Sequence, residues 1–152
     1  MYHTLVALLM TFTVAFHSSP RPEGLVKPLS LDARPTRLEA FFDLHRCPVP
    51  HHVLDYIRAA DNYALDYRLL PAISLRESTC GRYGVSNNYW GWSSGSVGFA
   101  SVPKGIEYVA WQLADSPYYK GKTLLSKLHT YNRNPVYSLE IGRFMEEIEG
   151  RQ

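Results

Sequence analysis

A chain of 152 residues has room for one domain built on one modest core. An apolar share of 45% and an aromatic share of 13% are those of a globular protein, and its eleven Tyr and three Trp suit a stacking surface as well as a core. A net charge of +2, with no long run of Lys or Arg, excludes a nucleic-acid footprint.

In chain order, the first element reads as a targeting segment. Leu5 to Phe16 form an apolar run of about a dozen residues, too short to cross a bilayer comfortably and suited to the middle of a signal peptide. Residues 1–19 are therefore expected to be a signal peptide, which makes the protein an exported one, periplasmic, wall-associated or extracellular. No Lys or Arg precedes the run, and Phe16-His17-Ser18-Ser19 matches a small-residue cleavage site poorly, so an uncleaved N-terminal anchor is the alternative. Residues 20–35 carry several Pro and no sustained period and read as a linker, which leaves 36–150 for the folded domain.

Helix punctuation starts at Thr36. Thr36-Arg37-Leu38-Glu39 fits a capping box, Leu38, Phe41, Phe42 and His45 follow at i, i+3, i+4 and i+7, and Pro48 and Pro50 end the helix. Val53, Ile57, Ala60 and Ala64 line a second helix. Asp66 can cap the entry into a third, in which Pro71 marks a kink or a first turn. In that third helix Leu69, Leu70, Ile73, Glu77 and Cys80 share one stripe, so Glu77 is expected on the apolar side. A carboxylate turned toward a core loses hydration, which favours its protonated form and suits a proton donor. The alternative is a surface acid at the helix end, paired with Arg76 or Arg82.

Between Gly81 and Val102 the period vanishes and Gly, Ser, Asn, Tyr and Trp dominate, as in a binding loop or small hairpin. Trp90 and Trp92 fit a sugar platform there, or a cap on the core. Helices then resume. Ile106, Val109, Ala110 and Leu113 form one stripe, stopped by Asp115-Ser116-Pro117, and Leu124, Leu125 and Leu128 mark a shorter piece. Asn134-Pro135 opens a last helix with Tyr137, Ile141, Phe144 and Ile148 on its inner side. The expected architecture is mainly α: about six helices around one core, with a small Gly/Trp-rich loop or hairpin lobe.

Cys47 and Cys80 are the only cysteines, and in an oxidising compartment such a pair commonly forms one bridge. A bridge here would clip the first helix to the end of the acid-bearing one. Gly91-Trp92-Ser93-Ser94-Gly95 matches the G-x-S-x-G pattern of serine hydrolases, but the strand, helix and parallel sheet that such an elbow needs are missing. His51 and His52 are adjacent and no H-E-x-x-H occurs, so no metal site and no cofactor is expected.

Four segments in order carry a resemblance. They are Leu70-Pro71-Ala72-Ile73-Ser74-Leu75-Arg76-Glu77-Ser78, Asn88-Tyr89-Trp90-Gly91-Trp92, Phe99-Ala100-Ser101 with Gly105-Ile106, and Tyr131-Asn132-Arg133-Asn134-Pro135-Val136-Tyr137. Over about Leu65 to Ile148 the chain resembles the lysozyme-like superfamily, most closely bacterial endo-β-N-acetylglucosaminidase-like domains. The resemblance implies an α+β lysozyme-like fold and a monomeric enzyme acting on peptidoglycan or a related glycan containing N-acetylglucosamine. It also implies Glu77 as general acid, Tyr131 facing it across the cleft, and a sugar-binding wall from Asn88, Tyr89, Trp90, Gly91 and Trp92 with Tyr137.

Some relatives of that kind use a second carboxylate in the lobe after the acid helix, whereas Gly81 to Val102 holds no Asp or Glu. An N-acetylated sugar can supply the missing nucleophile itself, its acetamido oxygen attacking C1 while Glu77 protonates the leaving oxygen. Attack by the sugar's own 6-hydroxyl, as in lytic transglycosylases, needs one acid as well. Glu107, Asp115 and Glu140 are the distant candidates for a second acid. Muramidase action on the same polymer, and a noncatalytic peptidoglycan-binding protein, complete the alternatives.

Overall fold

The structure is a computed structural model and describes residues 31–150. The signal segment or anchor expected over 1–19, and the linker as far as residue 30, lie outside the described residues. The described residues form six helices: α1 (Arg34–Leu44), α2 (Val53–Asn62), α3 (Leu69–Ser78), α4 (Val102–Asp115), α5 (Leu124–Tyr131) and α6 (Pro135–Ile148). Among the described residues there is no β-strand; Val85 and Asn88 make one isolated antiparallel bridge. No helix among them is long and apolar enough to cross a membrane.

α1 starts at Arg34 and not at a Thr36 cap. Asp32 Oδ1 accepts the Arg34 backbone N–H at 3.0 Å, and its other oxygen takes the guanidinium at 2.9 Å, so an acid two residues upstream does the capping. Pro35 then stands in the first turn, where a missing N–H leaves nothing unpaired. Arg34 and Pro35, expected at the end of the linker, therefore belong to α1. Arg34 also reaches Asp61 of α2 at 2.6 Å, while Leu38, Phe41 and Phe42 face inward. On α2 the inner residues are Tyr56, Ile57, Ala59 and Ala60; Ala64, expected on that stripe, lies past the helix end with φ 50°.

α3 is the central element. It packs on α6 and α4, α2 lies on α4, α1 on α2 and α6, and α5 on α6. Its entry repeats the device used by α1: Asp66 Oδ1 accepts the Arg68 N–H at 3.0 Å, and Pro71 falls in the first turn. Every residue from Leu69 to Ser74 is buried, so the helix begins enclosed on all sides and opens to solvent only near its end.

Trp90, fully buried, joins α3 to its neighbours. Its indole N–H donates to the Leu70 carbonyl at 3.2 Å, and Tyr56 and Phe99 stand edge-on at 6.2 and 6.3 Å. A Cβ on Gly105 would fall 2.6 Å from the Trp90 ring, so α4 approaches this closely only because it carries glycine there.

A disulfide joins Cys47 to Cys80 with their Cα atoms 5.4 Å apart, clipping the chain after α1 to the end of α3. Replacing both by Ser frees a loop of 33 residues in the unfolded chain and is expected to lower stability by about 3 kcal/mol. Urea unfolding of oxidised wild type and of the double variant measures the difference.

Candidate functional site

Two consecutive carbonyls decide how the segment after α3 runs. The Ser78 hydroxyl, at the end of α3, donates to the Tyr89 carbonyl at 2.7 Å and accepts the Gly81 N–H at 2.7 Å. The Tyr131 hydroxyl, at the end of α5, donates to the Trp90 carbonyl. Held at both points, the chain must pass Gly91 directly over Glu77: a Cβ on Gly91 would lie 3.0 Å from Glu77 Oε2, and its φ is 59°. Glycine satisfies both demands at once.

Asn88 finishes the turn from inside. Its amide donates to the Trp92 and Val97 carbonyls at 2.9 and 2.8 Å, and its Oδ1 accepts the Trp92 N–H at 2.9 Å. The short 3-10 turn Trp92–Gly95 follows, with Ser93 and Ser94 both left-handed at φ 55° and 56°.

In front of Glu77 this arrangement leaves a cleft of about 500 Å³. Gly91, Trp92, Ser93 and Ser94 form one wall, and Tyr118, Tyr119, Thr130, Tyr131 and Asn132 the other. Trp92 links the walls, its ring 5.7 Å from Tyr131 and 6.0 Å from Tyr119. A volume of this size, with aromatic faces and a few polar groups, suits a ligand of a few rings. Among the described residues Glu77 is the only carboxylate that lines it.

Several expectations are corrected by this geometry. Glu77 is exposed and not turned into the core, because the inward faces of α3 are taken by Leu70, Ile73, Ser74 and Ser78. It pairs with neither neighbouring Arg: Arg76 binds Glu140 at 2.6 Å and Arg82 reaches the Arg46 carbonyl at 2.5 Å. Asn88 is 3% exposed with its amide engaged inside the turn, and Trp90 is a core residue, so neither side chain meets the cleft. Tyr89 packs on the other side, near Pro48, Pro50 and the disulfide. Tyr137 is 2% exposed and stands behind Tyr131, the rings 6.0 Å apart and nearly parallel at 8°, so it backs the wall without forming it.

Of the residues expected around the acid, Gly91, Trp92 and Tyr131 are the ones brought to it. Ser93 and Ser94 are turn residues that also line the cleft. Tyr118, Tyr119, Thr130 and Asn132 went unread, although Thr130 and Asn132 flank Tyr131 and the Tyr pair follows the Pro117 stop.

Burial, and then the charge of Glu77, push the Tyr131 phenol well above its ordinary range. It is neutral at any working pH, a proton donor to the Trp90 carbonyl on a residue that lines the cleft. Tyr131→Phe removes the pin on the Trp90 carbonyl and is expected to cost about 1 kcal/mol of stability, read by thermal unfolding. The distant acids are engaged elsewhere: Glu107 accepts from Tyr63 at 2.8 Å, Asp115 stands 3.9 Å from Lys120, and Glu140 holds Arg76. Among the described residues no group of three or more His, Cys, Asp or Glu could hold a metal ion.

No protein-family model, no curated protein and no solved structure matches this chain.

Proposed function

We propose that this protein is a glycosidase of the lysozyme-like kind that cuts β-1,4 bonds next to N-acetylglucosamine in peptidoglycan strands, Glu77 acting as general acid. The observation that carries this reading is one reachable carboxylate in an aromatic-walled cleft to which the described residues bring no second acid. A sugar ring stacks its apolar face on Trp92 or Tyr118, and the polar rim of Ser93, Ser94 and Asn132 meets its hydroxyls.

With a single acid the attacking group comes from the substrate. The acetamido oxygen closes on C1 as Glu77 gives its proton to the leaving oxygen, and water then opens the ring intermediate with Glu77 as base. Tyr131 turns a neutral phenol oxygen toward the positive charge developing at C1. Four short sequence segments that resemble such enzymes in the same order, and the mainly helical fold, support the assignment. The likeness to lysozyme-like enzymes and the Gly/Trp-rich stretch as their sugar-binding lobe belong to this proposal, as does export to the wall.

Mass spectrometry of fragments released from purified peptidoglycan tests it. The expected fragments end in a reducing N-acetylglucosamine. Ends lighter by one water would replace hydrolysis by internal transglycosylation, reducing N-acetylmuramic acid would make it a muramidase, and no soluble fragments would overturn the reading.

A further inference from the structure

A cleft that holds a few rings is shorter than a glycan strand, so a strand bound at Glu77 must leave it across some further surface. One neighbouring surface is aromatic. Trp92, which lines the cleft, also meets Tyr108 of α4 edge-on at 6.2 Å, and Tyr108 in turn stands 6.0 Å from Trp111. From Tyr131 through Trp92 and Tyr108 to Trp111 the successive ring centroids lie 5.7, 6.2 and 6.0 Å apart. The rings therefore run unbroken from the cleft onto the outside of α4.

The inner side of α4 is complete without this pair. Ile106, Val109, Ala110 and Leu113 face the core, whereas Tyr108 and Trp111, three residues apart on one face, are 37% and 42% exposed. Tyr108 is nonetheless held in place: its ring packs on Phe99 at 5.4 Å as well as on Trp92, and the Gln112 amide donates to its hydroxyl at 2.7 Å. Polar residues frame the two rings, Lys104 and Gln112 one turn to either side of Tyr108 and Asp115 one turn beyond Trp111. Aromatic faces among hydrogen-bonding groups suit a sugar, which is apolar on its face and polar on its edge. They do not suit a second protein, because two partly exposed rings offer far less than the about 800 Å² per partner that a stable interface buries.

We propose that Tyr108 and Trp111 form an outer subsite, on which sugar units of the bound N-acetylated glycan stack after the strand leaves the cleft past Trp92. The inference rests on the glycosidase reading for the identity of the strand and adds a length preference to it. Short oligomers that fit the cleft do not reach Trp111; longer ones do.

Titration with two probes tests this, the disaccharide and the hexasaccharide of β-1,4-linked N-acetylglucosamine, in Glu77→Gln protein so that no probe is consumed. The indole N–H resonance of Trp111 is expected to shift with the hexasaccharide and to stay in place with the disaccharide. Adding Trp111→Ala is expected to weaken hexasaccharide binding about tenfold and to narrow the gap between the two probes by the same factor, whereas Trp111→Tyr, which keeps a ring, retains most of the gap. Equal hexasaccharide affinity with and without the Trp111 ring overturns the proposal, as does an indole resonance that ignores the hexasaccharide. A resonance that moves with protein concentration instead would give the face to a second copy and overturn it too. Hexasaccharide that reaches Trp111 in a protein that cuts no glycan would keep this inference and remove the glycosidase reading; cutting with Trp111 unmoved would do the reverse.

Discussion

Glu77→Gln is expected to abolish release of reducing ends from purified peptidoglycan, a loss of 10²–10⁴-fold or about 3–5 kcal/mol of barrier, the usual contribution of a positioned general acid. Gln keeps the shape of the side chain and removes only the proton that can be given. Among the described residues no salt bridge holds Glu77, and its side chain is exposed at the end of α3, so melting temperature should change little. Binding should survive as well, since the walls of the cleft are untouched. Pull-down on insoluble peptidoglycan checks this: wild type and Glu77→Gln bind alike, and only wild type releases sugar. A variant that still released sugar at the wild-type rate would remove Glu77 from the chemistry.

Trp90→Ala is expected to lower stability by about 3–5 kcal/mol, the range for emptying a fully buried aromatic site. The residue touches α2 through Tyr56, α3 through the Leu70 carbonyl and α4 through Gly105, so the void opens where three helices meet. The same substitution loosens the cleft. The Trp90 carbonyl is the point where Tyr131 holds the loop, and Gly91 follows it against Glu77. A urea midpoint shifted down with an unchanged slope, together with a raised KM, is the expected pattern. Trp92→Ala, in contrast, should lower the urea midpoint less, because that ring packs on Tyr119 and Tyr131 but stands half-exposed in the cleft.

Helices with one solvated side were legible in the sequence. In α4 the predicted stripe of Ile106, Val109, Ala110 and Leu113 is buried throughout, and Asn134 caps α6 by accepting the Val136 N–H at 3.0 Å. α5 was read less well: of its three leucines only Leu128 is buried, because this short helix packs mainly on α6 and hides one narrow edge. The position of Glu77 escaped periodicity for a physical reason. α3 is enclosed along its first six residues, Leu69 to Ser74, and a helix buried all round has no stripe from which to read a face.

The loop was harder still. Trp90 and Trp92 are two residues apart, yet one is core and the other cleft, and left-handed residues at Gly91, Ser93 and Ser94 turn the chain between and after them. No spacing rule reaches such a turn; hydrogen bonds from Ser78, Asn88 and Tyr131 set it, and these residues come from three different parts of the chain. The Asp32 cap was missed because the Thr36 box, a good local signal, stands two residues inside the helix that Asp32 had already begun.

Chemical-shift mapping of Glu77→Gln with an N-acetylglucosamine oligomer tests the central claim most directly. The account predicts shifts centred on the cleft walls, from Gly91 to Ser94, at Tyr118 and Tyr119, and from Thr130 to Asn132, growing with oligomer length. Shifts centred instead on the face of Tyr89, His51 and the disulfide, or none at saturating sugar, would contradict it.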